Sequence, residues 1–372
     1  MATVKTKTVW FCKSCGNESP KWMGRCPACG EWNTMVEETV ATGKKAASQQ
    51  INVPGTGHKP MPLADIDSAV ESRISLNNGE VDRILGGGLV EGSLVLIGGE
   101  PGIGKSTLSL QIPLHCPDLK TLYVTGEESA KQVKLRAARI GGDDSNCLIY
   151  SETLMENIIN EARAIMPDLM IVDSVQTMFS QNVESSPGSV TQIKETAAML
   201  LRFAKETGVP VILIGHITKE GSIAGPKILE HIVDVVLQFE GDSNNTYRIL
   251  RGIKNRFGAT FEIGVFEMRA DGLRQVDNPS EILLGHYEEP LSGVSVGAAV
   301  DGIRPYLIET QALVSNATFG TPQRTATGYD HRRLSMLLAI LEKRVGMKLS
   351  SKDVFLNFAG GFRVADTGLD LS

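Results

Sequence analysis

A glycine-rich segment, GGEPGIGKST at residues 98–107, limits the possible folds of this chain more than any other feature. Glycines such as Gly99 and Gly104 let the backbone curl so that successive N–H groups point at phosphate oxygens, and Lys105 reaches the β- and γ-phosphates. The hydroxyl of Ser106 suits Mg²⁺. The segment therefore predicts a site for ATP and Mg²⁺, with nucleotide-binding residues Gly99, Glu100, Pro101, Gly102, Ile103, Gly104, Lys105, Ser106 and Thr107.

The segments on either side of this loop support that interpretation. Residues 93–97 (SLVLI) are typical of a buried parallel strand, and residues 107–112 (TLSLQI) are typical of the first turns of a helix. The alternative is a glycine-rich turn that contains a lysine by chance. Such a turn would need neither the strand before it nor the helix after it. From Arg83 onward the chain alternates apolar runs with helical segments, which predicts an α/β fold with a mostly parallel sheet covered by helices.

Two CxxC pairs near the N-terminus, Cys12 with Cys15 and Cys26 with Cys29, predict a second ligand site. Four thiolates at this spacing suit tetrahedral Zn²⁺, and the short segment between the pairs cannot bury a core without a metal. All four ligands are sulfur, which indicates a structural zinc site and not a catalytic one. A pair of disulfides is the alternative, but a reducing compartment disfavours it.

Composition agrees with a soluble protein of two or three domains. The chain has 372 residues, 42% of them hydrophobic, and a formal net charge of −6. It shows no signal peptide and no apolar run long enough for a membrane span, so we expect a cytoplasmic protein without membrane contact. Cys116 and Cys147 lack CxxC partners and are expected to be ordinary small apolar residues.

Acidic residues follow two of the predicted strands. Glu127 and Glu128 come after the run at residues 121–125, and Asp173 ends the run at residues 169–172. Ligands bind at the carboxyl ends of strands in open α/β sheets, so Asp173 is predicted to hold Mg²⁺ and Glu127, ahead of Glu128, to orient the attacking water. Acids that merely begin a helix are the alternative for the glutamates.

A third strand end carries a histidine, and one of two loops near these strand ends carries lysines. His216 follows the run at residues 209–214 and is either a sensor of the γ-phosphate or a satisfied histidine at a sheet edge. The segments at residues 177–189 and 219–227 are poor in core residues and rich in mobile ones. Lys219 and Lys227 in the second segment are candidates for contact with a DNA backbone, although ordinary surface loops look similar.

The segment KNRFG at residues 254–258 lies between two strand-like stretches, at residues 247–253 and 260–268, and is predicted to cap a hairpin. On an extended strand Lys254 and Arg256 project to the same face. Because they are far in sequence from the glycine-rich loop, they suit action on the γ-phosphate of a neighbouring subunit, as an arginine finger acts.

The four-cysteine module, GEPGIGKST, YVTGEES and KNRFG, in this order, resemble the bacterial RadA family, also called Sms. The resemblance covers the whole chain. It implies a RecA-like ATPase core, a homohexameric ring similar to DnaB-type helicases, binding to single-stranded and branched DNA, and a nucleoid-associated role in branch migration beside recombinase or replication proteins. It also implies that Lys254 and Arg256 couple the nucleotide state to motor function.

The same resemblance implies a C-terminal α+β domain similar to the Lon protease domain. The predicted domains are a zinc finger at residues 1–38, a linker at 39–62, the RecA-like domain at 63–275 and the Lon-like domain at 276–372. Family members usually run on beyond this point, so we expect the Lon-like domain to be incomplete. Ser350 and Ser351 precede Lys352, but their adjacency does not make a catalytic dyad, which disfavours proteolysis.

These features together predict a DNA-dependent ATP hydrolase that acts as a helicase or branch-migration motor in homologous recombination and DNA repair. The main alternative is a nucleotide-gated DNA-binding mediator without motor activity, because a nucleotide switch carries the same motifs. An ATP-dependent protease is a weaker alternative.

Overall fold

The computed structural model describes residues 6–14, 16–41, 62, 72–216, 228–241, 247–260, 262–285, 289, 291–301, 304–317, 321–359 and 366–372. The chain divides into two compact units, each of which is described by itself. The first comprises Met1–Glu240, Leu250–Thr260 and Arg269–Leu273, and the second Gly241–Ile249, Phe261–Met268 and Arg274–Ser372. None of the described helices is both long and apolar enough to cross a membrane.

The first unit begins with a small antiparallel sheet around the cysteines. Its strands are β1 (Thr6–Cys12), β2 (Glu18–Ser19) and β3 (Met35–Ala41), in the order β2-β1-β3. Cys12, Cys26 and Met35 form the buried cluster beneath it, with Trp10 packed alongside. The strand β3 extends past residue 38 because its pairing with β1 continues to Ala41.

A short two-stranded sheet and a helix precede the glycine-rich loop. These are β4 (Arg73–Ile74), α1 (Gly79–Leu85) and β5 (Leu89–Val90). The side chain of Asn78 accepts a hydrogen bond from the Val81 N–H and caps the start of α1. Gly86, at φ 83°, ends the helix in the left-handed conformation that favours glycine.

The main sheet of the first unit is parallel through six strands, which confirms the predicted α/β class. Its strands lie in the order β11-β6-β10-β9-β7-β8. The elements are β6 (Leu94–Gly99), α2 (Lys105–His115), β7 (Thr121–Thr125), α3 (Ala130–Ile140), β8 (Cys147–Ser151), α4 (Met155–Ile165), β9 (Leu169–Asp173), α5 (Val190–Thr207), β10 (Val211–His216), α6 (Ile228–Ile232) and β11 (Val235–Gly241).

Continuous apolar runs form the inner strands because helices cover both faces of a parallel sheet. Every residue of β6 and β9 is buried, and Leu96, Met170 and Leu213 lie in one core cluster with Leu200 and Phe203 of α5. Burying one such side chain stabilises the fold by about 1.5–3 kcal/mol relative to leaving it in water. This core holds the strand ends, and therefore the site, in fixed positions.

The strand β12 (Tyr247–Asn255) lies beside β11, and β13 (Ile263–Arg269) lies between β12 and β14 (Gly272–Gln275). The strand β12 includes Lys254 and Asn255, two residues beyond the predicted end. Asn255 is buried, donates to the carbonyl of Ile84 and accepts from the Phe257 N–H, which extends the strand and starts the turn.

The rest of the second unit is an α+β domain. After α7 (Ser280–Leu283), its sheet contains β15 (Val294–Asp301), β16 (Arg304–Asn316), β17 (Arg324–Thr327) and β18 (Lys352–Phe358), in the order β15-β16-β18-β17. The helix α8 (His331–Ile340) continues as a π-helical turn at Leu341–Val345. Ile308, Phe358 and Leu369 are in its core.

Candidate functional site

The glycine-rich loop joins the end of β6 to the start of α2. Gly102 at φ 78° and Gly104 at φ 117° adopt left-handed conformations that a side chain would strain. A Cβ on Gly99 would lie 2.9 Å from the Cβ of Phe239 and 3.0 Å from Cγ2 of Ile103, so a side chain has no room there. The helix begins at Lys105, two residues before the predicted start, because Gly104 occupies the position that caps it.

Lys105 lies inside this loop and is 4% exposed. Its Nζ donates to the carbonyl oxygens of Gly99 at 2.8 Å and Glu100 at 2.9 Å. Burial lowers the pKa of Lys105 to about 8, although the negative charges of Asp173 and Glu127 act in the opposite direction. A weakly hydrated ammonium of this kind attracts a phosphate more strongly than an exposed one does.

Four neighbouring strands bring their carboxyl ends to the same edge of the sheet. In the parallel register His216 pairs with Gly99, and Thr125 pairs with Asp173. The strands β6, β10, β9 and β7 are adjacent in that order. The structure therefore brings the predicted residues of the loop, the Asp173 strand, the His216 strand and the glutamate turn together where open α/β sheets bind ligands.

Asp173 is buried at this edge and its orientation is fixed by a neighbouring strand. The hydroxyl of Tyr123 donates to Asp173 Oδ2 at 2.8 Å. Burial and the Asp173 charge together raise the pKa of Tyr123 well above its ordinary value, so the hydroxyl stays protonated and keeps donating. The sequence analysis did not identify Tyr123. A tyrosine inside a buried strand, two residues before its end, is the signal that points to it, since its hydroxyl needs a partner.

Glu127 faces the ends of the two neighbouring strands. Its Oε1 accepts a hydrogen bond from the Ser174 hydroxyl at 2.5 Å and lies 3.2 Å from Nε2 of His216. Burial acts to raise the pKa of Glu127, but the hydrogen bonds from Ser174 and His216, with the nearby charge of Lys105, outweigh it and lower the pKa. Glu127 is therefore an ionised carboxylate held by the side chains of Ser174 and His216. The sequence analysis did not identify Ser174 as a site residue.

Glu128 points to a different partner. Its carboxylate forms an ion pair with Arg136 of α3, and the backbone N–H of Glu128 donates to Thr125 Oγ1 at 3.1 Å. The two adjacent glutamates therefore have separate environments. Glu127 contacts residues at the strand ends, and Glu128 contacts Arg136 of α3. Arg136 and Glu128 are both less than one third exposed, which keeps this pair in place.

The loop after Asp173 is anchored, in contrast to the prediction of a segment rich in mobile residues at 177–189. Met178 and Ser180 are fully buried. The buried amide of Gln192 accepts from the Ser180 N–H at 2.9 Å and donates to the carbonyls of Ser180, Val183 and Ser185. This side chain supplies the hydrogen bonds that a loop without regular structure lacks.

The cations of KNRFG meet at the opposite, amino end of the sheet. Lys254 Nζ donates to the carbonyls of Glu230 at 2.6 Å and Val233 at 2.7 Å. Arg256 forms an ion pair with Asp234 at 3.3 Å. Asp234 immediately precedes β11 and also accepts hydrogen bonds from the Leu94 N–H and from Lys205.

This position separates the two cations from the glycine-rich loop of the same chain. Leu94 is the first residue of β6 and Gly99 is the last. Five residues of a parallel strand span about 17 Å. Lys254 and Arg256 are thus both bound at the end of the sheet that does not carry the phosphate loop.

The three described cysteines of the CxxC pairs converge. The sulfur atoms of Cys12, Cys26 and Cys29 all lie within 4.8 Å of one another, and Cys12 Sγ is 3.6 Å from Cys29 Sγ. Such a cluster is suited to Zn²⁺, which prefers thiolate ligands in a tetrahedron. Three of the predicted site residues, Cys15, Lys219 and Lys227, lie outside the described residues.

The other two cysteines have the environment of ordinary apolar residues. Cys116 is buried and Cys147 is half-buried. Burial raises the pKa of each thiol to about 11. Both remain protonated near neutral pH and are poor ligands and nucleophiles.

Two family models match this chain. An AAA domain model matches residues 66–222, and a rubredoxin metal-binding domain model matches residues 10–37. The first includes the glycine-rich loop and the strand ends, and the second includes the cysteine cluster. The cofactors predicted from the sequence, ATP with Mg²⁺ in the first and Zn²⁺ in the second, are confirmed.

Curated relatives match over nearly the whole chain. The DNA repair protein RadA of Bacillus subtilis (strain 168) is 50% identical over 99% of this chain and 81% of its own length. The same-named protein of Listeria monocytogenes serovar 1/2a is 48% identical over 100% of this chain and 81% of its own. A solved structure, the KaiC-like protein PH0186 from Pyrococcus horikoshii OT3, aligns with 56% of this chain and 100% of its own, at 22% identity and a TM-score of 0.46.

Proposed function

We propose a motor function for this chain, which belongs to the DNA repair protein RadA family. In this proposal the chain is an ATP hydrolase that uses hydrolysis to move branched DNA during recombination and repair. The observation that carries the proposal is the arrangement of the sheet. A phosphate loop and an ionised glutamate lie at its carboxyl end, while two cations suited to a neighbour's phosphate lie at its amino end.

Each residue of the carboxyl end has a role in the proposed hydrolysis. Lys105 neutralises the negative charge that develops on the transferred phosphoryl group. Glu127 orients the attacking water, and Ser174 with His216 keeps its carboxylate aimed and ionised. Ser106 and Asp173 would hold Mg²⁺, which would further stabilise the phosphate oxygens.

The contrast between the two glutamates supports assigning this role to Glu127. Glu127 is bonded to residues at two adjacent strand ends, where the nucleotide is expected. Glu128 is already neutralised by Arg136 and is turned toward α3. A carboxylate engaged by a guanidinium is a poor acceptor for the proton of water.

His216 is proposed as the sensor of the nucleotide state. Its contact with Glu127 joins the hydrolytic carboxylate to the end of β10, directly before the segment that contains Lys219 and Lys227. A shift of Glu127 on loss of the γ-phosphate would therefore change the partner of His216. Lys219 and Lys227 stay predicted contacts to the DNA backbone on the basis of their charge.

Lys254 and Arg256 are proposed to complete the site of the next subunit in a homohexameric ring. Within one chain both are bound at the amino end of the sheet, about 17 Å or more from the phosphate loop. The Arg256 side chain is 55% exposed, while its partner Asp234 is 2% exposed. Arg256 can therefore leave Asp234 for an incoming phosphate, because Lys205 and the Leu94 N–H still satisfy that carboxylate.

The test is ATP hydrolysis by the purified chain with and without single-stranded DNA, followed by strand displacement on a branched substrate. Lys105→Ala is the control without nucleotide binding. We expect DNA to stimulate ATP hydrolysis, and we expect strand displacement to require ATP hydrolysis. Nucleotide-dependent DNA binding without displacement would contradict the motor and favour the gated mediator.

A further inference from the structure

Two exposed tryptophans stand side by side on the cysteine module. Trp22 is 55% exposed and Trp32 is 68% exposed. A Cβ on Gly24 would lie 3.5 Å from a ring atom of Trp22 and 3.8 Å from a ring atom of Trp32, so the two rings flank this glycine. We call Trp22 and Trp32 the tryptophan pair. Large aromatic surfaces left in water usually mark a binding site.

The backbone and one arginine hold Trp32 of this pair in place. Trp32 pairs with Arg25 in an isolated antiparallel bridge, and the Asn33 N–H donates to the carbonyl of Gly24 at 2.8 Å. Arg25 Nε donates to the carbonyl of Gly30 at 2.7 Å, and its guanidinium carbon lies 5.8 Å from the centroid of Trp32. A ring fixed in this way loses little conformational entropy when a ligand stacks on it.

Two exposed cations lie close to the tryptophan pair. Residues 19–30 contain Lys21 and Arg25, both exposed, while Glu18 and Glu31 flank this stretch and the Glu31 carboxylate accepts a hydrogen bond from Ser14. The chain as a whole has a formal charge of −6, so this stretch departs from the average. Aromatic rings beside cations are the combination that binds single-stranded nucleic acid, because bases stack on the rings while phosphates meet the charges.

We propose that the tryptophan pair is a stacking platform for the bases of single-stranded DNA, with Lys21 and Arg25 on the flanking phosphates. The inference rests on the proposed DNA-dependent function and adds a DNA contact outside the predicted loop that contains Lys219 and Lys227. Single-stranded DNA is favoured over duplex because paired bases hide their faces within the stack. A protein partner would also bury tryptophans, and it is the alternative that the test below separates.

Fluorescence can test this contact directly. The only tryptophans of the chain are Trp10, Trp22 and Trp32, so all tryptophan emission comes from this module. Trp10 packs on the cysteine cluster, and Trp10→Phe leaves the tryptophan pair as the sole emitter. We expect a thirty-nucleotide oligo(dT) to quench the emission of zinc-loaded Trp10→Phe to saturation, and heparin, a polyanion without bases, to leave it unquenched. Bound oligo(dT) without quenching would overturn the proposal.

Affinity gives a second test. Trp22→Ala and Trp32→Ala should each weaken oligo(dT) binding by about 5- to 100-fold, the effect of losing one stacked base, and Trp32→Phe should recover most of the loss. Leu135→Ala, on the equally exposed Leu135 of α3, should leave binding unchanged. Zinc content measures whether each variant keeps its module folded.

The outcomes separate this proposal from the motor. If the parental chain binds no DNA with any nucleotide, both the proposed function and the stacking platform are wrong. If it binds oligo(dT) and hydrolyses ATP in response, but zinc-loaded Trp22→Ala and Trp32→Ala bind as tightly as the parent, only the stacking platform is wrong. The tryptophan pair would then be a contact for a protein.

Discussion

Both ends of the parallel sheet carry charged side chains, but the two ends hold them in different ways. At the carboxyl end, Glu127 and Asp173 each accept a hydrogen bond from a hydroxyl on the protein, and Lys105 is 4% exposed. At the amino end, Arg256 is 55% exposed and shares Asp234 with a lysine. In the proposed function, the first end is preorganised for hydrolysis, and the second end holds a cation that exchanges its partner.

This difference indicates how hydrolysis could depend on assembly. One chain carries both the phosphate loop and the cations, but the sheet keeps them at opposite ends. A ring in which the amino end of one subunit meets the carboxyl end of the next would unite them. Hydrolysis in one subunit of such a ring would depend on the position of the neighbouring subunit. A motor whose subunits hydrolyse ATP in sequence needs this dependence.

The largest expected effect at the carboxyl end separates the two adjacent glutamates. Glu127→Gln should lower ATP turnover by about 10²- to 10⁴-fold because the amide is a poor acceptor for the proton of water. Glu128→Gln is the matched control and should change turnover less than about threefold, since it loses only the ion pair with Arg136 of α3, away from the strand ends. Both variants should bind ATP like the parent. Equal losses in the two variants would refute the assignment of Glu127.

A smaller effect is expected from the hydroxyl that holds this carboxylate. Ser174→Ala should reduce kcat about tenfold with little change in KM, because Glu127 loses one of its two side-chain partners. The matched control is Ser180→Ala. Ser180 lies in the anchored loop, and its hydroxyl donates a hydrogen bond to Glu156 of α4. Pre-steady-state hydrolysis with saturating ATP measures the step directly. A change confined to KM would mean that Ser174 acts in binding.

The amino end is expected to respond more weakly. Lys205→Ala removes one of the cations that pair with Asp234, so Arg256 should be released less readily. We expect DNA-stimulated turnover to fall about two- to fivefold while ATP binding stays the same. Lys134→Ala, which breaks an exposed pair with Asp144 on α3, is the control. Faster turnover in Lys205→Ala would contradict the exchange of partners.

The sequence was sufficient to predict the parts of the site that lie in one short segment. It was insufficient to predict the contacts that depend on which strands pair with one another. The phosphate loop is contiguous, so its glycines and Lys105 were predictable from spacing alone. Tyr123 and Asp173 are 50 residues apart and meet only because β7 and β9 are adjacent. Gln192 anchors a loop through a buried amide, which composition cannot reveal.

The smallest expected effect is on the thermal stability of the second unit. Tyr329 and Arg333 donate hydrogen bonds to Asp370. Burial acts to raise the pKa of Asp370, but these bonds outweigh it and lower the pKa. A carboxyl whose pKa is lowered by folding stabilises the folded state above its ordinary pKa of about 3.9, and this contribution is lost as the pH falls through the lowered value.

Asp370→Asn removes that titration. We expect its thermal midpoint at pH 7 to lie a few degrees below that of the parent, and the difference to shrink as the pH falls below about 4. Thermal unfolding at several pH values measures both. ATP turnover at pH 7 should be unchanged. A difference that grows in acid would show the opposite sign and contradict the lowered pKa.

Mixing two inactive variants tests the central claim, that Arg256 acts on the phosphate of a neighbouring subunit. Lys105→Ala lacks the phosphate-binding cation and keeps Arg256, while Arg256→Ala lacks the finger and keeps the site. Each alone should be nearly inactive. An equimolar mixture that assembles at random should recover about one quarter of the parental DNA-stimulated hydrolysis, because one interface in four joins an intact site to an intact finger. No recovery in mixed assemblies would show that Arg256 does not act between subunits.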